Sequence, residues 1–276
     1  MVKIAGTLDR PTARLAYSDS GDGSVVVVLT HGAGMDRSMF EDQADALERR
    51  GIRVISWDLR GHGDSTFDHG ARFTADDALA DLDALLTHCG ADAPLLVGHS
   101  LGGNLVQRFA QQHPDRVRGL IIMDSTWNTG PLTLAERVGL RLAAPALALV
   151  PATSLPGLMA RASAVTDDAI RRTTEVFARM PKARFLDVWR ATVSFVSPDP
   201  TSRSSVPLAL VRGARDETGN IATAMPRWAA HEGVHEHVVA DAGHIVTWDA
   251  PAASTDVLLQ VLAEWNLIAK EEDDDA

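Results

Sequence analysis

The stretch PLLVGHSLGGNLV (94–106) narrows the folds open to this chain more than any other. A short apolar run leads into Gly98-His99-Ser100-Leu101-Gly102, and an amphipathic run follows it. A serine packed in a core needs no glycine two residues before it and two after it. A serine presented on a very tight strand-to-helix turn needs both, because side chains there would collide with one another or with the serine. The stretch therefore predicts a strand ending at Gly98, an elbow at Ser100 and a helix reaching Gln112, with Leu105 and Phe109 on its inner side.

Similar apolar runs recur along the chain. Val25–Leu29, Arg53–Trp57, Leu95–Gly98, Gly119–Met123, Pro207–Val211 and His235–Val239 are short and continuous rather than alternating, which suits strands covered on both faces. Helical patterns lie between them. Phe40–Arg50 is one. Thr74–His88 is another, with Thr74 and Asp77 spaced as a capping box and Leu79, Leu82, Leu85 and Leu86 on one face. Ala252–Trp265 closes the series. Strand alternating with helix predicts an α/β fold with a doubly wound, mostly parallel sheet.

The alternation stops after Asp124 and restarts at SSVPLALV. Residues 125–205 are proline-interrupted and helical in character, and an insertion that long between sheet strands is expected to form a lid or cap. The domain expectation is a core of 1–124 and 206–268, a helical cap of 125–205, and a disordered acidic tail of 269–276. The cap leaves the sheet at the carboxyl end of a strand, where open α/β sheets bind their ligands.

Composition removes several classes. The formal charge of −11 and the lack of a basic stripe argue against nucleic-acid binding. Cys89 is the single cysteine, which excludes an internal disulfide and any CxxC zinc or redox site. The N-terminal stretch has no apolar run behind a basic start, so a cytoplasmic location is expected. The apolar 140–160 segment carries Pro145, Pro151 and Pro156, so no stable membrane insertion is expected. That segment could instead form a homodimer surface or a lipid contact.

A serine hydroxyl is a poor nucleophile at neutral pH and needs a base with a group to orient it. The expected order is serine, acid, histidine. Asp216, in LVRGARDE, and His244, in DAGHIVTWD, each follow a strand, so Ser100, Asp216 and His244 converge on one sheet edge as the candidate catalytic set. Asp124, in IIMDST, also follows a strand and is the rival acid. Candidate oxyanion donors are the backbone N–H groups of Leu101, at the helix start, and Ala33, in the His31-Gly32-Ala33-Gly34 turn. Trp127, Trp189, Ile245 and Trp248 are candidate substrate contacts, and Phe177, Phe185 and Phe195 could line a pocket or build the cap's own small core. No metal or cofactor is called for.

With HGAG (31–34), WDLRGHGDS (57–65), GHSLGG (98–103), RGARDE (212–217) and AGH (242–244) in this order, the chain resembles the α/β-hydrolase fold superfamily over nearly its whole length. The resemblance implies WDLRGHGDS as a loop bracing the elbow, and a serine rather than aspartate nucleophile disfavours haloalkane dehalogenases and epoxide hydrolases. It implies an esterase, with a lactonase, thioesterase, carbon–carbon bond hydrolase or cofactor-free haloperoxidase as alternatives. The expected partner is an apolar ester or lactone. A receptor that captures an apolar ligand on the same scaffold is the reading from another class.

Other motifs have plainer explanations. His31 and His62 read as loop-bracing residues and His99 as a packed structural one. His231-Glu232-Gly233-Val234-His235 spells H-E-x-x-H, but Gly233 and the strand-like HEHVV predict that the helix stops inside the motif, which would separate the two histidines. GHSLGGN lacks the lysine and hydroxyl residue that complete a P-loop.

Overall fold

The computed structural model describes residues 4–269; the acidic stretch 270–276 lies outside the described residues. Nine strands form one sheet: β1 (Ile4–Arg10), β2 (Ala13–Asp19), β3 (Val26–Thr30), β4 (Arg53–Trp57), β5 (Thr66–Phe67), β6 (Leu95–His99), β7 (Gly119–Met123), β8 (Leu208–Gly213) and β9 (Glu236–Val239). The order is β1-β2-β4-β3-β6-β7-β8-β9, with β5 beside β2. From β4 to β9 every pairing is parallel, while β2 pairs antiparallel with β1, β4 and β5. The six strands expected from apolar runs are all present, to within a residue or two at each end. The β1–β2 hairpin is an addition that those runs did not signal.

Helices α1 (Glu41–Arg49), α2 (Ala75–His88), α3 (Leu101–Gln112), α8 (Ile221–Glu232), α9 (Val246–Asp249) and α10 (Pro251–Glu264) belong to the core, and α4 (Leu134–Leu149), α5 (Leu155–Ser163), α6 (Asp167–Arg179) and α7 (Lys182–Ser194) lie between β7 and β8. Successive strand residues point to opposite faces. Val28, Leu96, Ile122 and Leu210 pack with α2, α3 and α8, through Leu82, Leu105, Phe109 and Met225. Their neighbours Val27, Leu29, Val97, Ile121 and Val211 pack on the other face with α1 and α10, through Leu47, Leu258 and Leu262. Both sheet faces are therefore dry, which is why the strands read as unbroken apolar runs. Thr74 caps α2 by accepting the Asp77 N–H at 3.1 Å.

All residues from 125 to 205 are helix or connection, with no strand. Both ends of this segment are tied to the core. Asn104 of α3 donates to Asn128 Oδ1 at 2.7 Å, and Asn128 returns a bond to the Asn104 carbonyl at 2.8 Å. The Ser197 and Asp199 N–H groups donate to the carbonyls of Asn128 and Thr129, so the outgoing and returning chains pair at the neck. No helix among the described residues is long and apolar enough to cross a membrane.

Candidate active site

The elbow is as tight as its glycines require. Ser100 sits at the start of α3 with φ 51 and ψ −116, a conformation that costs a non-glycine residue about 1–3 kcal/mol and persists only where the surroundings impose it. A Cβ at Gly98 would lie 2.5 Å from the Gly102 carbonyl oxygen, and one at Gly102 would lie 2.2 Å from the Thr30 carbonyl oxygen. Backbone bonds from Ser100 N–H to Met123 O and from Asn104 N–H to Ser100 O, each 3.0 Å, hold the turn between β7 and α3. The serine thus stands at the carboxyl edge of the sheet with its side chain half-buried.

Asp216 and His244 meet at the same edge. His244 Nδ1–H donates to Asp216 Oδ2 at 3.0 Å, and Thr218 N–H donates to Asp216 Oδ1 at 2.7 Å. Both side chains are buried. Burial alone would raise the Asp216 pKa, but the His244 imidazole and the Thr218 N–H outweigh it and hold the carboxyl below its usual value. With Nδ1 committed to the carboxylate, Nε2 is the imidazole atom free to exchange a proton. The His244 backbone is itself fixed, because His99 Nε2–H donates to its carbonyl at 2.7 Å. Burial, followed by the neighbouring His244, pulls the His99 pKa down to about 3, so His99 is a neutral brace.

The turn 31–34 is braced from the WDLRGHGDS loop. His31 Nε2 accepts the Leu59 N–H at 2.9 Å while its Nδ1–H donates to the Gly32 carbonyl at 2.7 Å. Asp58 accepts the N–H groups of Arg37 at 2.7 Å and Asp64 at 2.9 Å, and pairs with the Arg37 guanidinium. His62 donates from Nδ1 to the Arg60 carbonyl at 3.1 Å and packs against His31, ring centroids 5.0 Å apart. The Ala33 and Leu101 N–H groups make no hydrogen bond with another described residue. Ala33 and Ser100 border one small cavity.

That cavity, of about 40 Å³, is walled by Ala33, Met35, His99, Ser100, Thr218, His244 and Ile245 from the core and by Met159, Ser163, Phe177, Phe185 and Trp189 from the inserted helices. Of the candidate contacts, Ile245 and Trp189 are on it, as are Phe177 and Phe185. Trp127 is not: its ring stacks on Trp228 at 6.1 Å with an interplanar angle of 3° and borders a separate cleft over α3 and α8. Trp248 is not either, being buried with the Arg172 guanidinium 4.2 Å above its ring. Phe195 belongs to the main core. Met35, Met159, Ser163 and Thr218 are wall residues that the sequence reading did not single out.

The H-E-x-x-H stretch is split as its glycine predicts. Helix α8 ends at Glu232, Gly233 has φ 73, and His231 donates to the Ser202 carbonyl at 2.9 Å, while His235 meets His237 edge to face. The one group of potential metal ligands among the described residues is Asp124, Asp216 and His244, which coincides with the candidate catalytic site. Within it, His244 Nδ1 and Asp216 Oδ2 are bonded to each other, while Asp124 Oδ2 has no hydrogen-bond partner.

A mostly parallel sheet that carries a serine on a strand-to-helix elbow, with an Asp–His pair delivered from the strands beyond it, is the arrangement of the alpha/beta hydrolase fold. A family model described as the alpha/beta hydrolase fold matches residues 25–251, and the chain belongs to that family. Among curated proteins it is 37% identical to an sn-1-specific diacylglycerol lipase of Mus musculus over 106 residues, 38% of this chain and 34% of that protein. It is 40% identical to the pimeloyl-[acyl-carrier protein] methyl ester esterase of Neisseria meningitidis over 121 residues, 44% of this chain and 43% of that one. The chain thus matches less than half the length of these relatives. A thermophilic esterase from Thermogutta terrifontis superposes with a TM-score of 0.73 at 25% identity, covering 96% of this chain and 99% of the other.

Proposed function

We propose that the protein is a serine hydrolase that cleaves a carboxylic ester of a small to medium apolar substrate through an acyl-enzyme, with no metal or cofactor. The observation that carries the reading is the convergence on one small cavity of Ser100, on its strained elbow, and His244, which is bonded behind it to Asp216. Ser100 Oγ attacks the ester carbonyl as His244 Nε2 takes its proton. Asp216 holds the imidazole in the tautomer that leaves Nε2 available and offsets the imidazolium charge. The Ala33 and Leu101 N–H groups receive the oxyanion, a contribution of roughly 3–4 kcal/mol per donor in comparable sites. His244 then protonates the departing alcohol and activates the water that frees the acid.

The substrate side is read from the cavity. Its walls are mainly Met35, Met159, Phe177, Phe185, Trp189 and Ile245, which suit an apolar group. Its volume is close to that of one water molecule, about 30 Å³, so even an acetyl group requires some movement of Met159, Phe177 or Phe185, and longer acyl groups require more. Residues 125–205 act in this reading as the lid, and the ester relatives point to the same bond type. The test is hydrolysis of p-nitrophenyl acetate and butyrate by the wild type and S100A in the presence of a chelator. Loss of turnover by about 10⁴-fold or more in S100A is expected; equal turnover in the two proteins overturns the assignment.

A further inference from the structure

The mechanism above uses one carboxyl group, yet the site holds two. Asp124 directly follows β7, and Asp216 lies in the loop after the neighbouring strand β8. Asp124 is fully buried, with φ 43, a left-handed conformation that aspartate and asparagine tolerate better than most residues. Its N–H donates to the Val211 carbonyl at 2.9 Å, and its Oδ1 accepts the Gly213 N–H at 2.8 Å. The side chain therefore leans across the end of β8 toward the Asp216 loop. Its Oδ2 has neither solvent nor a hydrogen-bond donor, while a carboxyl oxygen of each aspartate and a nitrogen of His244 all lie within 4.8 Å of one another.

Two buried carboxylates this close repel each other strongly, which favours a proton on the one with fewer donors. Asp216 has the better claim to the charge, because it faces both the His244 imidazole and the Thr218 N–H, whereas Asp124 receives one backbone N–H. The other charged or titratable groups nearby do not reverse this order. Arg212 on β8 is spent on Glu236 of β9 at 2.8 Å, and His99 is neutral and bonded to the His244 carbonyl.

We infer that Asp124 is a positioning residue of the triad: its carboxyl group keeps its proton, which Oδ2 donates in a hydrogen bond to Asp216. The inference rests on the serine-hydrolase reading for its catalytic meaning. Burial, and after it the charge of Asp216, push the Asp124 pKa well above the ordinary carboxylate range, in keeping with this arrangement. The consequence is electrostatic. When His244 takes the Ser100 proton, the imidazolium faces one negative charge instead of two. A second negative charge so close would strengthen the hold on that proton and oppose its delivery to the leaving group. The shared hydrogen bond also gives Asp216 a further fixed partner beside His244 and Thr218.

The test has a spectroscopic arm and a kinetic arm. An infrared difference spectrum, wild type minus D124N at pH 7, is expected to show the carbonyl stretch of a protonated carboxylic acid; absence of that band overturns the inference. This readout needs no turnover, so it stands even if S100A shows the serine assignment to be wrong. Asparagine keeps the left-handed backbone and a donor toward Asp216, so D124N is expected to retain the wild-type acid limb of kcat/KM and most of kcat. Removing the donor in D124A is expected to move that limb to higher pH by about 0.5–1 unit and to lower kcat about tenfold, with D124N as the rescue. Equal displacement of the limb in both variants, or a loss in D124N as large as in D216N, refutes the positioning role.

Discussion

Met159 separates two cavities, and its removal gives a prediction whose size follows from their volumes. The serine cavity, about 40 Å³, and an outer one of about 20 Å³ share Met159, Phe177 and Phe185 as their common wall. Truncation to alanine vacates three heavy atoms, each close to the ~30 Å³ of a liquid water. The two spaces then become one continuous cavity, enlarged by the room of those three atoms. Each methylene that such a cavity buries is worth about 0.8 kcal/mol, so two of them, the difference between acetyl and butyryl, are worth about 1.6 kcal/mol. That is a factor of about 15 in kcat/KM. The assay is kcat/KM for p-nitrophenyl acetate and butyrate in wild type and M159A, with the butyrate-to-acetate ratio expected to rise about 15-fold. Met159 is half-buried, so the accompanying stability loss is expected at the low end of the range for methionine truncation, about 2 kcal/mol. A ratio that stays within threefold of the wild type in folded M159A refutes the placement of the acyl group against this wall.

Two further predictions concern stability. His99 is held neutral with its pKa near 3 by burial first and by His244 second, against about 6.5 in an unfolded chain. Between these values the unfolded state binds a proton that the folded state refuses, so stability falls as pH falls, by about 1.4 kcal/mol per unit for this group. Urea unfolding is expected to show that H99Q loses about 2 kcal/mol less than the wild type between pH 6.5 and 5; identical losses would mean that His99 is not held neutral. G102A places a Cβ 2.2 Å from the Thr30 carbonyl oxygen, a backbone clash expected to cost at least 1–3 kcal/mol, whereas G139A, in a helix with open space around it, is expected to gain up to about 1 kcal/mol. Calorimetric melting points moving in the same direction for both variants would refute the steric account of the elbow.

The parallel part of the sheet was legible because burial on both faces leaves a strong mark: VVVL and GLIIM have no polar residue that a solvated face would demand, and RVISW has only Arg53 at its end and the small, buried Ser56. The first hairpin was not. Its strand β2 mixes buried and open positions, as in Arg14 and Leu15. Its turn passes through Pro11 and Thr12, the latter at φ 63, with neither the Asn-Gly nor the Asp-Gly pair that marks a tight hairpin. Trp127 and Trp248 lie off the serine cavity for a related reason, since chain direction after a strand is set by polar contacts that no local pattern reveals. Trp127 follows the sheet edge closely in sequence, but the reciprocal Asn104–Asn128 bonds draw the chain across α3, where the indole reaches Trp228 instead of the serine cavity. Trp248 is turned away by Asp249, which accepts the N–H groups of Val165 and Thr166 and so locks α9 beneath the start of α6.

Asp124 shows a different limit. Sequence order treats the acid as a choice between two positions, one after β7 and one after β8, because the logic of a triad asks for a single carboxylate. The sheet removes the choice. β7 and β8 are adjacent and parallel, with Met123 opposite Val211, so residues just beyond their ends share one edge within a few ångströms. The left-handed backbone at Asp124 then turns its side chain across that edge rather than away from it. Once both carboxyl groups are there, the relevant question is no longer which of them belongs to the site but which one carries the proton, and the hydrogen bonds from His244 and Thr218 are the reason we assign the charge to Asp216. A pattern search over residue types cannot express that answer, since an aspartate written in a sequence has no protonation state; it acquires one only from the donors the fold supplies.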